Sequence, residues 1–268
     1  MLEAIEELEQ IMEKLRDPKH GCPWDLEQSF DSIIPHTIEE TYEVVDAIYK
    51  KDWVNLQEEL GDLLFQIIFY SQLAKEQQFF TFDDVVKSVN EKLIRRHPHV
   101  FSDLSFSTPE ELAANWEQQK KREKEKQNKP IDQSILSTIP TSLPALSKAY
   151  KLQKACAKVG FDWGELPPII DKIQEEIDEV LEETKREPID KALLELEVGD
   201  LLFTVVNLSR QLQVNPESAL SKANIKFINR FQGVEELVRR NQRNLIDCSL
   251  AELDMYWSQV KMQEKSKK

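Results

Sequence analysis

Glu59-Leu60-Gly61-Asp62-Leu63-Leu64-Phe65 and Glu197-Val198-Gly199-Asp200-Leu201-Leu202-Phe203 are nearly the same stretch written twice. Each follows a second acidic run, Glu39-Glu40-x-x-Glu43 in the first case and Glu175-Glu176-x-x-Glu179 in the second. A repeat of this length sets the architecture, because each copy has to be one structural unit. Residues three apart share a helix face. Glu40 with Glu43 and Glu59 with Asp62 therefore project from two successive helices, and Glu176 with Glu179 and Glu197 with Asp200 do the same. Like charges so spaced destabilise a helix unless something offsets them. A divalent cation held by the four acids of each copy is the natural offset.

Working outward, 268 residues suffice for two domains with ordinary cores. Only six glycines occur, Asn-Gly and Asp-Gly are missing, and no long stretch alternates apolar with polar. The expected class is all-α, a tandem repeat of two helical domains. In the first copy the pattern predicts helices over about Leu2–Leu15, after Pro35, from near Leu56, over Phe82–Arg96 and over Pro109–Glu125, with a loop at Asp17–Asp25. Residues 127–144 carry Pro130, Pro140 and Pro144 and read as a linker. The expected domains are thus 1–126 and 145–268. In the second copy, a loop at Val159–Trp163 and then Pro167-Pro168 precede the acidic helix. Asn90-x-Lys92-x-x-x-Arg96 recurs as Asn224-x-Lys226-x-x-x-Arg230, and Trp116-x-x-x-Lys120 as Trp257-x-x-x-Lys261.

A formal net charge of −14 disfavours nucleic acid and anionic membrane as partners. Cys22, Cys156 and Cys248 are too few and too scattered for a disulfide framework. The N-terminus lacks the basic-then-apolar order of a signal peptide, and the longest apolar stretch, Leu60–Phe69, is too short to span a bilayer. The expectation is a soluble, cytoplasmic protein.

Oxygen-only ligands favour Mg²⁺, with Mn²⁺ next, over zinc or copper. Di-iron bundles use Glu-x-x-His pairs, and none occurs here. His97-Pro98-His99 reads as a loop or helix end instead of a ligand pair. Mg²⁺ commonly binds through a few carboxylates plus substrate phosphates, which points to phosphate-ester or phosphoanhydride chemistry. No glycine-rich phosphate loop is present, so metals and basic side chains are expected to hold the phosphates. Lys222, Lys226 and Arg230 lie four apart on one helical face, and Lys172 precedes the second acidic run. Trp257 and Lys261, one turn apart, could stack a base and hold a phosphate. The plainer alternatives are solvated cations and a core tryptophan. Gly61 and Gly199, beside the last acid of each set, suggest a tight helix crossing at the metal.

These acidic motifs, together with Gly21-Cys22-Pro23-Trp24-Asp25, Arg95-Arg96-His97-Pro98-His99-Val100-Phe101 and Val159-Gly160-Phe161-Asp162-Trp163, resemble the MazG nucleoside triphosphate pyrophosphohydrolases in their two-domain form. The resemblance spans roughly residues 5–262. It implies an all-α fold, a homodimer built through helix bundles, and Mg²⁺-dependent hydrolysis of nucleoside triphosphates to monophosphate and pyrophosphate with broad base tolerance. It implies Glu176, Glu179, Glu197 and Asp200 as metal ligands with Glu175 as water-orienting group or outer ligand, and Lys172, Lys226, Arg230 and Trp257 as nucleotide contacts. The family's lysine just before the third acid has no match, since Leu193-Leu194-Glu195 stands there. The first copy keeps Glu40, Glu43, Glu59 and Asp62 but has His36 in place of Lys172 and Ser88 in place of Lys222. The C-terminal copy is therefore expected to carry most of the turnover. The competing expectations are a non-catalytic nucleotide or metal sensor, and a diphosphatase specific for one noncanonical nucleotide.

Overall fold

The computed structural model describes residues 2–102, 104–106, 108–126 and 134–266, and the chain divides into two compact units, Met1–Pro130 and Ile131–Lys268. Part of the expected linker, 127–133, lies outside the described residues. Unit one contains α1 (Leu2–Leu15), α2 (Pro23–Glu27), α3 (Phe30–Lys50), α4 (Trp53–Glu76), α5 (Phe82–Arg96), α6 (Pro98–Phe101) and α7 (Pro109–Lys126). Unit two contains α8 (Ala145–Ala157), α9 (Leu166–Glu183), α10 (Lys191–Gln211), α11 (Pro216–Arg240), a 3-10 turn (Leu245–Asp247) and α12 (Leu250–Ser266). No strand occurs among the described residues, so the all-α expectation holds.

Three helix starts differ from the sequence expectation, each for a local reason. The acidic helix α3 begins at Phe30, with Pro35 inside it. Ser29 and Ser32 form a reciprocal cap: Ser29 Oγ accepts from the Ser32 N–H at 3.2 Å, and Ser32 Oγ accepts from the Ser29 N–H at 2.9 Å. That cap fixes the first turn, and a proline soon after it forfeits only one helical hydrogen bond. Helix α4 starts at Trp53 because Asp52 Oδ1 accepts from the Asn55 N–H at 3.1 Å. In α9, Pro167 and Pro168 occupy the first turn, where an N–H would have no helical partner anyway. Replacing Ser29 with alanine is expected to destabilise unit one by about 1 kcal/mol, read as a lower urea midpoint with unchanged slope.

Helices α1 and α3 pack on α4 in unit one, and α8 and α9 pack on α10 in unit two. Met12, Ile33, Ile68, Phe69 and Leu73 form the buried centre of unit one. Val234, Val238 and Val260 form a second centre where α11 meets α12. The loop from α1 to α2 is closed by Gly21, whose N–H donates to the Asp17 carbonyl at 2.8 Å. A Cβ there would sit 2.6 Å from that same oxygen, so only glycine fits.

The tight crossing expected at Gly61 and Gly199 is not present within either unit. A Cβ added at either glycine meets nothing within 4 Å. The glycine that does permit close approach is Gly233, where an added Cβ would be 3.0 Å from both Val260 methyls. Gly61 and Gly199 lie on exposed stretches of α4 and α10, whereas Gly233 faces α12 across a core.

Candidate metal and nucleotide site

Helices α3 and α4 pack side by side and bring Glu40, Glu43 and Glu59 together, with one carboxylate oxygen of each within 4.8 Å of the others. Helices α9 and α10 do the same with Glu176, Glu179 and Glu197. Neither group includes Asp62 or Asp200, both of which are exposed one turn further along their helices. Asp62 is still close enough to raise the pKa of Glu40.

The electrostatics of the two sets differ through one residue. In unit two, Lys172 Nζ lies 2.9 Å from Glu176 and donates to Glu175 at 2.7 Å. These carboxylates push the lysine pKa above its ordinary value, hydrogen bonding to Glu175 contributing most. Glu176 is itself buried. In unit one the matching residue is His36, whose Nδ1 is 3.9 Å from Glu39 and whose ring meets Trp24 edge-on at 5.7 Å between centroids. Glu40 is pushed up to about 6, by burial first and then by repulsion from Asp62 and Glu43. Glu179 is also raised, by burial and then by Glu176, while Lys172 pulls it the other way.

The donor set fits a hard divalent cation. Two oxygens on one Mg²⁺, each at about 2.1 Å, are at most about 4.2 Å apart, so small side-chain rotations would close three oxygens lying within 4.8 Å. No nitrogen or sulfur ligand belongs to either group.

The expected nucleotide contacts divide. Lys172 is at the acid set. Lys222, Lys226 and Lys261 are exposed, and among the described residues no ion pair joins them to the acids. Arg230 Nε donates to Glu264 at 2.9 Å, and its guanidinium lies 5.8 Å from the centre of the Trp257 ring. Trp257 packs on the α11–α12 core and against Phe227. Unit one repeats this clasp: Arg96 pairs with Glu123 at 2.5 Å, and Trp116 Nε1 donates to the Arg96 carbonyl at 2.8 Å. The recurring Arg and Trp therefore tie α5 to α7 and α11 to α12. The side chain of Lys120 lies outside the described residues. His97 Nδ1 lies 2.8 Å from the Leu93 carbonyl at the end of α5, a helix-end role as expected.

Fold and site together define an all-α protein of two units, each presenting a carboxylate set across a helix pair. Residues 28–101 and 168–234 match the model of the MazG nucleotide pyrophosphohydrolase domain. The chain belongs to that family. It is 49% identical over 263 residues to the nucleoside triphosphate pyrophosphohydrolase of Escherichia coli strain K12, covering 98% of this chain and 99% of the relative. It is 46% identical over 257 residues to the nucleoside triphosphate pyrophosphohydrolase/pyrophosphatase MazG of Thermotoga maritima, covering 96% and 95%. A solved mazG-related protein from Thermotoga maritima matches 43% of this chain and 98% of its own at 30% identity, with a TM-score of 0.38. Among the described residues no helix is long and apolar enough to cross a membrane.

Proposed function

We propose that this protein hydrolyses nucleoside triphosphates to monophosphate and pyrophosphate, with Mg²⁺ as the preferred ion, Mn²⁺ as a substitute, and broad tolerance of the base. The observation that carries the reading is the convergence of Glu176, Glu179 and Glu197 with Lys172 on their edge. The names of the Escherichia coli and Thermotoga maritima relatives support the same reaction.

Glu176, Glu179 and Glu197 would hold the cation, with Asp200 reaching it from one turn further along α10. A bound divalent ion supplies charge neutralisation at the phosphates and a lowered pKa for water. Glu175 orients the attacking water and accepts its proton. The water oxygen bonds to the α-phosphorus, the bond from that phosphorus to the bridging oxygen breaks, and pyrophosphate leaves with the bridging oxygen. Lys172 neutralises phosphate charge from the edge of the acids, and Lys222, Lys226, Arg230, Trp257 and Lys261 are proposed to bind the nucleotide from α11 and α12.

We also propose a homodimer. Leu202 and Val205 on α10 and Ile170 on α9 are large, exposed apolar residues, and exposed apolar surface of this kind usually pairs with another surface. The open side of Gly199 lies in the same stretch of α10.

The test is product analysis with ATP, GTP, CTP, UTP and the corresponding deoxynucleotides plus Mg²⁺. Monophosphate and pyrophosphate from several bases are expected. Lys172→Ala should raise KM on the order of 10-fold, the loss of one charge-assisted phosphate contact, with a smaller change in kcat. Nucleotide binding without turnover by the intact chain would favour a sensor instead, and turnover of one modified nucleotide alone would favour a specific diphosphatase.

A further inference from the structure

Unit two holds a cleft of about 450 Å³ formed by α8, α10 and the loop between α8 and α9. That volume is in the range of small-molecule sites. Leu152 and Cys156 on α8, Phe203 on α10, and Phe161 and Trp163 in the loop supply most of its apolar surface. None of Glu175, Glu176, Glu179, Glu197 and Asp200 lines it.

The cleft lies where the repeat breaks. Setting Gly61–Phe65 against Gly199–Phe203 places Phe203 opposite Phe65 and Asn207 opposite Phe69. In unit one Phe69 is fully buried and meets Phe65 edge-on, with 6.0 Å between the ring centroids and 88° between the planes. In unit two Phe203 has no such ring four residues further along, because Asn207 stands there, and both residues line the open cleft. The sister unit shows what fits beside this phenylalanine, namely one aromatic ring.

The polar lining narrows the ligand further. Arg210 donates to Asp162 Oδ1 at 2.5 Å and to Asn207 Oδ1 at 2.7 Å, so its charge is matched within the lining. An anion entering the cleft would meet no unpaired cation, and burying an unpaired charge is costly. Gln153 is occupied as well, its Nε2 donating to the Phe203 carbonyl at 2.7 Å. Because Asn207 Oδ1 accepts from Arg210, Nδ2 is the donor end of that amide. Among the described residues this Nδ2 donates to nothing, although Asn207 is only 6% exposed. Phe161 is 81% exposed and Trp163 52% exposed, so two aromatic faces at the cleft stand largely uncovered.

We propose that this cleft is a second ligand site, separate from the acid set, for an uncharged molecule with one aromatic ring and a hydrogen-bond acceptor. The ring takes the place beside Phe203 that Phe69 fills in unit one and packs on Phe161, and the acceptor receives the hydrogen of Asn207 Nδ2. The site stands whatever reaction the acids perform.

The experiment is a ligand-observed nuclear magnetic resonance titration of the full chain with two probes. Benzamide is an uncharged ring bearing a carbonyl, and cyclohexanecarboxamide keeps the carbonyl without the aromatic ring. Benzamide is expected to bind about five-fold more tightly, the worth of one aromatic pair beyond its buried area. Phe161→Ala should weaken benzamide by a similar factor, about five-fold, and Asn207→Phe, which restores the ring of unit one, should abolish its binding. Phe161 is a highly exposed loop residue, so its variant decides the matter even if Asn207→Phe fails to fold. ATP with Mg²⁺ should leave the benzamide affinity unchanged. No benzamide binding by the intact chain, equal affinity for the two probes, unchanged affinity in Phe161→Ala, or displacement by ATP would each overturn the proposal. An affinity that falls as protein concentration rises would give the cleft to an aromatic side chain of a second copy, and would overturn it too.

Discussion

Glu179→Ala is expected to lower kcat/KM for nucleoside triphosphates by on the order of 1,000-fold while the chain stays folded. Loss of one cation ligand removes several kcal/mol of transition-state stabilisation, at about 1.4 kcal/mol per factor of ten. Folding should survive because Glu179 is not a supporting member of a core. Its carboxyl is raised above the usual range by burial and by repulsion from Glu176, so deletion relieves like-charge strain in the absence of the ion. The control is Glu43→Ala, the matching residue on α3, which should keep most of the turnover if the C-terminal set does most of the work. Circular dichroism and product analysis on the same preparations decide the matter. A folded Glu179→Ala that still releases pyrophosphate at the parent rate would remove the metal-ligand assignment.

Arg16→Leu should cost unit one about 3 kcal/mol. This is the low end for removing one partner of a buried pair, since Glu76 retains a 35% exposed side chain and is partly screened by solvent. Arg16, with only 7% of its side chain exposed, donates through Nε and Nη2 to the Glu76 carboxylate at 2.8 and 2.6 Å, and through Nη1 to the Asp25 and Gln28 carbonyls. It therefore joins α1, α2 and α4. The hydrogen bond from Arg16 is the main cause holding Glu76 below the usual carboxylate range. A depressed folded pKa means that the contribution is complete above the unfolded value of about 4.3 and is lost as pH falls through the folded value. The stability gap between the intact chain and Arg16→Leu, measured by urea titration, should thus be widest at neutral pH and should narrow in acid. A gap independent of pH would mean that Glu76 ionisation is not coupled to Arg16.

Much of the architecture was legible because its causes are local. Three-residue spacing of acids dictates which helix face they share, and prolines and glycines mark where helices stop. The helix starts at Phe30 and Trp53 were missed because side-chain caps at Ser29 and Asp52 outweigh the coarser signal of a proline or an apolar period. The role of Gly61 and Gly199 was misread because a missing Cβ says that approach is allowed, not that a neighbour is there. Gln153 and Asn207 were not singled out at all. The replacement of Phe69 by an amide at the matching position of the repeat was the available signal.

The helical class, the duplication and the two sets of carboxylates follow from helical periodicity and charge spacing, which are properties of neighbours along the chain. Tertiary structure alone decided that Glu197 converges with Glu176 and Glu179 while Asp200 remains exposed, and that Arg230 pairs with Glu264. It also decided that a cleft opens beside Asn207 where Phe69 fills unit one. These outcomes depend on how residues far apart in the chain pack across α9, α10, α11 and α12, and spacing along a single helix carries no information about that packing.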